Sequence, residues 1–100
     1  MTFLRIAVFE IEGAPDDALE LWDDLVGSAL RNHPECVQVM ASHRGTRYAT
    51  VSRWSSEDAF RQAMEAKPMQ DVIRTLSARL GVADQPEPMF SFEGDIEDGV

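Results

Sequence analysis

Lysine is almost missing from this chain: Lys67 is the only one in 100 residues. Lys and Arg together number 9 against 18 Asp and Glu, a formal net charge of −9. A chain this acidic repels a phosphate backbone, which argues against nucleic acid as a partner. Cysteine occurs once, as Cys36, so there is no intramolecular disulfide and no thiolate cluster. The only histidines are His33 and His43, too few beside one cysteine for a zinc or iron–sulfur site. No carboxylate spacing argues for a metal, and no glycine-rich loop is present to cradle a cofactor phosphate. Long hydrophobic runs are missing too. The longest, Ile6-Ala7-Val8-Phe9, lies between Arg5 and Glu10 and falls far short of the ~20 residues of a membrane span. It does not form a signal-peptide core either, and the cytoplasm is the expected location.

What is present suits one soluble domain with a modest core: 44% hydrophobic and 27% charged residues. The expected domain covers residues 1–93, and residues 94–100 read as an acidic tail holding Asp95, Glu97 and Asp98.

Residues 2–11 are rich in β-branched and aromatic side chains and predict a strand that Gly13 and Pro15 end. From Asp16 the period changes. Ala18, Leu19, Trp22, Leu25, Val26, Ala29 and Leu30 fall at helical spacing, with Asp16, Asp17, Glu20, Asp23 and Asp24 on the other side. Residues 36–43 and 47–54 alternate as strands around Arg44-Gly45-Thr46, a hairpin signal. Ser55 and Asp58 form a capping-box-like pair that opens a second helix. Lys67-Pro68 interrupts that helix, and its second half runs to Gly81. A loop over residues 83–88 leads to a last strand, Met89-Phe90-Ser91-Phe92.

The order β-α-β-β-α-β predicts a ferredoxin-like α+β fold, four antiparallel strands with helices on one face. Strand 1 is apolar on both sides: Leu4, Ile6 and Val8 on one, Phe3, Ala7, Phe9 and Ile11 on the other. A sheet covered by helices on one face only must bury the second face against something. A second copy, packed sheet to sheet as a two-fold homodimer, is the economical solution.

The stretch Val51-Ser52-Arg53-Trp54-Ser55-Ser56-Glu57-Asp58-Ala59-Phe60 resembles the antibiotic biosynthesis monooxygenase (ABM) family. The resemblance implies the dimeric α+β barrel fold already argued from the strand pattern. Its haem-degrading branch uses an Asn on strand 1, a Trp at the end of strand 3 and a late-helix His. This chain has only the Trp, as Trp54, and no histidine after His43, so haem has no axial ligand there. The quinone-forming, actinorhodin-pathway branch is the better match: it implies Trp54, Arg74 and, where that branch has Asn, Thr50 as catalytic residues. Its helix Tyr falls on Phe60. The implied activity is oxidation of an aromatic, polyketide-like phenol by O2, with no cofactor and no metal.

Such chemistry needs an aromatic platform, a dry pocket and donors for developing negative charge. Trp54 offers an indole face and N–H, and Arg74 a charge for a phenolate. Tyr48, Thr50, Ser52 and Trp54 share one strand face at period 2. Phe60, Met64, Met69 and Ile73, with Val72, supply an apolar wall for a small aromatic substrate. Each residue has a plainer reading. Trp54 equally serves as a core anchor, Arg74 as a surface partner of Asp71 or Asp58, and the Met/Phe stripe as core. A non-catalytic dimeric barrel that binds a small apolar ligand is the alternative function.

Overall fold

The computed structural model describes residues 1–82 and 87–97. Part of the expected 83–88 loop and the last three residues of the expected tail lie outside the described residues. Strand β1 (Thr2–Glu10) leads to helix α1 (18–31), the hairpin β2 (Cys36–Arg44) and β3 (Arg47–Trp54), helices α2 (Glu57–Glu65) and α3 (Lys67–Leu80), and strand β4 (Phe90–Ile96). The strands form one antiparallel sheet in the order β2-β3-β1-β4, the ferredoxin-like arrangement expected.

Local chemistry explains most boundaries. Gly45, at φ +60°, takes the first corner of a two-residue turn between Arg44 and Arg47, as a tight hairpin requires. Ala66 turns extended (ψ 140°) between α2 and α3, and Pro68 enters the first turn of α3, where no N–H is needed. Gly81, at φ +73°, ends α3 in a left-handed cap, with the Val82 N–H donating to the Ser77 carbonyl.

Three details differ from the sequence-based expectation. The cap of α2 is Ser56, whose hydroxyl accepts from the Ala59 N–H at 3.1 Å. Ser55 instead donates its hydroxyl to Glu35, and its N–H bonds the Glu35 carbonyl. Strand β4 continues to Ile96 rather than stopping at Phe92. Glu93, Gly94 and Asp95 look like tail residues by composition, but Gly94 stands opposite Leu4 with the Phe92 ring packed over it. Glu93 is tied to Arg61 of α2 at 3.0 Å. Finally, α1 is not regular: Asp23–Gly27 form a π turn between α-helical Ala18–Trp22 and Ser28–Arg31. Arg31 bridges that turn, pairing with the Asp23 carboxylate at 2.7 Å and also donating to its backbone carbonyl. Gly27 leaves the room they need, since a Cβ there would lie 3.0–3.2 Å from Asp23, Trp22 and Arg31.

The core sits between the sheet and the helices, built from Phe3, Val26, Leu30, Trp54, Phe60, Ala63, Met69 and Leu76. The opposite face carries an apolar ladder across all four strands. Met40 pairs with Val51, Val51 with Ile6, and Ile6 with Phe92. Met40 and Phe92 remain 50% and 51% exposed in the single chain, and Phe90 beside them 57%. Among the described residues, no helix is long and apolar enough to cross a membrane.

Candidate functional site

The helix-facing side of the sheet contains a row of small residues: Ala41, Thr50, Ala7 and Ser91 stand side by side in register. Side chains this short cannot reach the helices above, so a trough remains between the larger residues on either side of the row. Its centre, at Ala7 and Thr50, lines a cavity of about 400 Å3 roofed by α1 and α3. That volume lies within the ~300–1,000 Å3 range of small-ligand pockets. Trp22 and Val26, at the π turn, form part of its wall, as do Ile73 and Gln70 of α3. π turns recur at functional sites because they alter which side chains a helix presents.

The cavity gathers most of the site residues expected from the sequence. Tyr48, Thr50 and Ser52 line it from β3, and Phe60, Met64 and Ile73 from the helices. Met69 is elsewhere. It is buried in the core and faces a second, separate cleft of about 530 Å3 with His33, Glu35 and Asp58. His43 stacks on the Tyr48 ring, centroids 5.3 Å apart, but does not line the cavity beneath α1 and α3.

Two of the three expected catalytic residues do not reach the cavity. Trp54 is 0% exposed, and its indole N–H is already spent on the Ser52 hydroxyl at 2.9 Å. Its ring meets Phe60 and His33 edge-on, at centroid distances of 5.7 and 5.3 Å. Trp54 is the core anchor of the plainer reading. Arg74 is 56% exposed and pairs with Asp71 at 3.4 Å, which Lys67 also holds. The helix geometry dictates this: at 100° per residue, Arg74 lies about 140° around α3 from the buried Met69. The charge expected from Arg74 therefore points to solvent.

A different arginine occupies the cavity. Arg5 lies between Phe3 and Ala7 on the inward face of β1, directly opposite Ser52. Its guanidinium carbon sits 5.5 Å from the Phe60 ring centroid, within reach of a cation–π contact. Its Nε is buried without a hydrogen-bond partner. The carboxylate nearest by register, Glu93 on β4, is committed to Arg61. In the sequence Arg5 reads only as the polar edge of an apolar run. The available signal was its alternation with Phe3, Ala7 and Phe9, which puts a charge on the buried face. Among the described residues, no group of three or more His, Cys, Asp or Glu is arranged to hold a metal.

No protein-family profile and no curated protein matches the chain. Solved structures do. A variant of SnoaB, a cofactor-independent oxygenase from Streptomyces nogalater, superposes with a TM-score of 0.70 at 16% identity, covering 99% of this chain and 95% of that one. This chain has the ABM fold. The monooxygenase from ActVA-Orf6 of Streptomyces coelicolor, solved with nanaomycin D, matches with a TM-score of 0.65 at 20% identity, over 98% of this chain and 89% of that one. HapK from Hahella chejuensis matches at 0.72 and 18% identity, over 100% and 96%. At these identities the likeness concerns the backbone. The residues that would make an ABM-fold chain an enzyme must be found in its own cavity.

Proposed function

We propose that this chain is a cofactor-independent monooxygenase that oxidises an aromatic, polyketide-like phenol with O2 inside the cavity beneath α1 and α3. The observation that carries the reading is the cavity itself: a mainly apolar space, large enough for a fused aromatic, with the side chains of Tyr48, Thr50 and Ser52 along one wall. A phenol that loses its proton becomes electron-rich enough to pass one electron to O2. The resulting carbon radical and superoxide combine through a new C–O bond into a peroxide, which takes up a proton. Loss of the ring C–H proton and cleavage of the O–O bond then expel water and leave a second carbonyl. Phenol plus O2 thereby becomes quinone plus water. The chain's part is to exclude bulk water, orient the ring and offer donors where negative charge develops. Thr50, at the centre of the small-residue row, is best placed among the hydroxyls to meet a ring lying in the trough.

The same reading pairs two copies through the helix-free face. The Met40–Val51–Ile6–Phe92 ladder supports it, because an apolar surface spanning a whole sheet is costly to leave in water.

A second reading, a non-catalytic barrel that binds a small apolar ligand, is favoured by one specific observation: neither Trp54 nor Arg74 faces the cavity. Oxygen uptake with a panel of hydroxynaphthalenes and anthrones, compared with boiled protein, separates the two. Catalysed uptake supports the oxygenase. Saturable binding of the panel without uptake supports the binding barrel.

A further inference from the structure

We infer that Arg5 is the anion-binding residue of the cavity, and that the ligand it selects carries a negatively charged oxygen on an aromatic frame. The inference rests on the cavity reading above and specifies the chemical class that the cavity takes.

Three observations combine. First, a guanidinium on the buried face of a central strand is expensive unless it is paired. Arg5 occupies that face, itself half-buried with its Nε enclosed, between two residues that are each 2% exposed. Second, its Nε has no hydrogen-bond partner, and the carboxylate beside it in register is held by Arg61. Arg61 also lines the cavity, but Glu57 and Glu93 neutralise it. Third, Arg5 borders the cavity next to Ser52 and against the Phe60 ring. An aromatic ligand lying in the trough over Ala7 and Thr50 would bring a ring substituent toward the guanidinium. A phenolate, an enolate or a ring carboxylate would then receive the charge-assisted hydrogen bonds that the protein leaves unmade. The chain's net charge of −9 sharpens the argument. The protein as a whole repels anions, so binding one requires a local cation dedicated to it.

The test is calorimetric titration with two ligands of the same shape, 6-hydroxy-2-naphthoate and 6-hydroxy-2-naphthamide. Wild-type protein is expected to bind the carboxylate at least about tenfold more tightly than the amide, as an added charged hydrogen bond would give. Arg5→Gln should abolish that preference by weakening the carboxylate alone, Arg5→Lys should keep part of it, and Arg74→Gln should keep all of it. The wild-type comparison needs no variant, so a misfolded Arg5→Gln does not spare the inference. Equal affinity for the two ligands in wild type, or a preference that survives Arg5→Gln, overturns the role of Arg5 while leaving the cavity as the binding site. Failure of both ligands to bind overturns the inference together with the cavity reading. A clear preference combined with no oxygen uptake on any phenol keeps Arg5 and removes the oxygenase.

Discussion

Trp54→Phe should harm this protein through its stability. The indole is completely enclosed, and its N–H bonds Ser52 at 2.9 Å. Replacement by Phe removes roughly 40 Å3 of side chain, which at ~24 cal/mol per Å3 of residual cavity costs about 1 kcal/mol. The Ser52 hydroxyl loses its donor, a further loss of about 1 kcal/mol, at the lower end of the range because Ser52 also borders the open cavity. The lost apolar contacts with His33 and Phe60 bring the total to about 2–3 kcal/mol. For a domain of this size each kcal/mol moves the melting temperature by about 4–8 °C, so a fall of about 10–20 °C is expected. Thermal unfolding of Trp54→Phe, Ser52→Ala and the double variant completes the cycle, with a coupling near 1 kcal/mol for the shared bond. Activity on any phenol found to be a substrate should change less than about threefold at temperatures where the variant is folded. A melting temperature within about 3 °C of wild type, or lost turnover at unchanged stability, would refute the reasoning and return Trp54 to the site.

Four further outcomes are expected. Phe92→Glu, on the helix-free ladder, should convert a dimer into an 11.2 kDa monomer by light scattering; wild type that is monomeric at micromolar concentration would end the dimer proposal. Arg74→Gln removes only an exposed ion pair, so stability should change by under ~1 kcal/mol and oxygen uptake not at all; a loss of uptake would place Arg74 in the site after all. Ser56→Ala strips the cap of α2 and should cost about 1 kcal/mol in urea denaturation, whereas Ser55→Ala should not act on that helix end. Burial pushes the Cys36 thiol above its ordinary pKa, and outweighs a backbone hydrogen bond at Gln38 that favours the thiolate. The folded state therefore keeps a proton that the unfolded state releases. That increment of stability is intact below the free thiol's pKa and is lost as pH rises through the folded one. Stability curves of wild type and Cys36→Ser should then diverge only above about pH 8.5, and parallel curves there would refute the shift.

The order of elements was legible because the hydrophobic period switches cleanly, from alternation over residues 2–11 to helical spacing after Asp16. The hairpin at Gly45 and the stop at Gly81 were legible for the same reason, since both require a backbone that glycine adopts at little cost. What stayed hidden depends on partners far along the chain. Nothing local marks Gly94 and Asp95 as strand; their pairing with Leu4 and Phe3 does. The π turn stayed hidden because Val26 and Leu30, four residues apart, keep an ordinary helical spacing across its end. Two adjacent serines offered two possible caps, and Glu35, 20 residues away in sequence, engaged the first. The resemblance to the ABM family placed a cation on α3 by spacing alone. Whether that position faces in or out depends on the phase of the helix against the sheet, and Met69 and Leu76 set that phase so that Arg74 faces out.

The π turn at Asp23–Gly27 amounts to one extra residue wound into a helix that would otherwise be continuous. Deleting a single residue there would restore regular winding with the two halves of α1 still nearly in phase, because four α-helical residues sweep about the same angle as the five of the wider turn. The side chains within the turn would be re-aimed, Val26 at the cavity wall among them, while Trp22, the sheet register and the β3 hydroxyls stayed where they are. Chains of this fold thus have a one-residue route to a differently shaped chamber. Such a step alters neither the core residues of the sheet nor the face available to a second copy. Insertions and deletions in the first helix, rather than substitutions in the strands, are then the changes by which one ABM-fold scaffold would come to accept a new ring system.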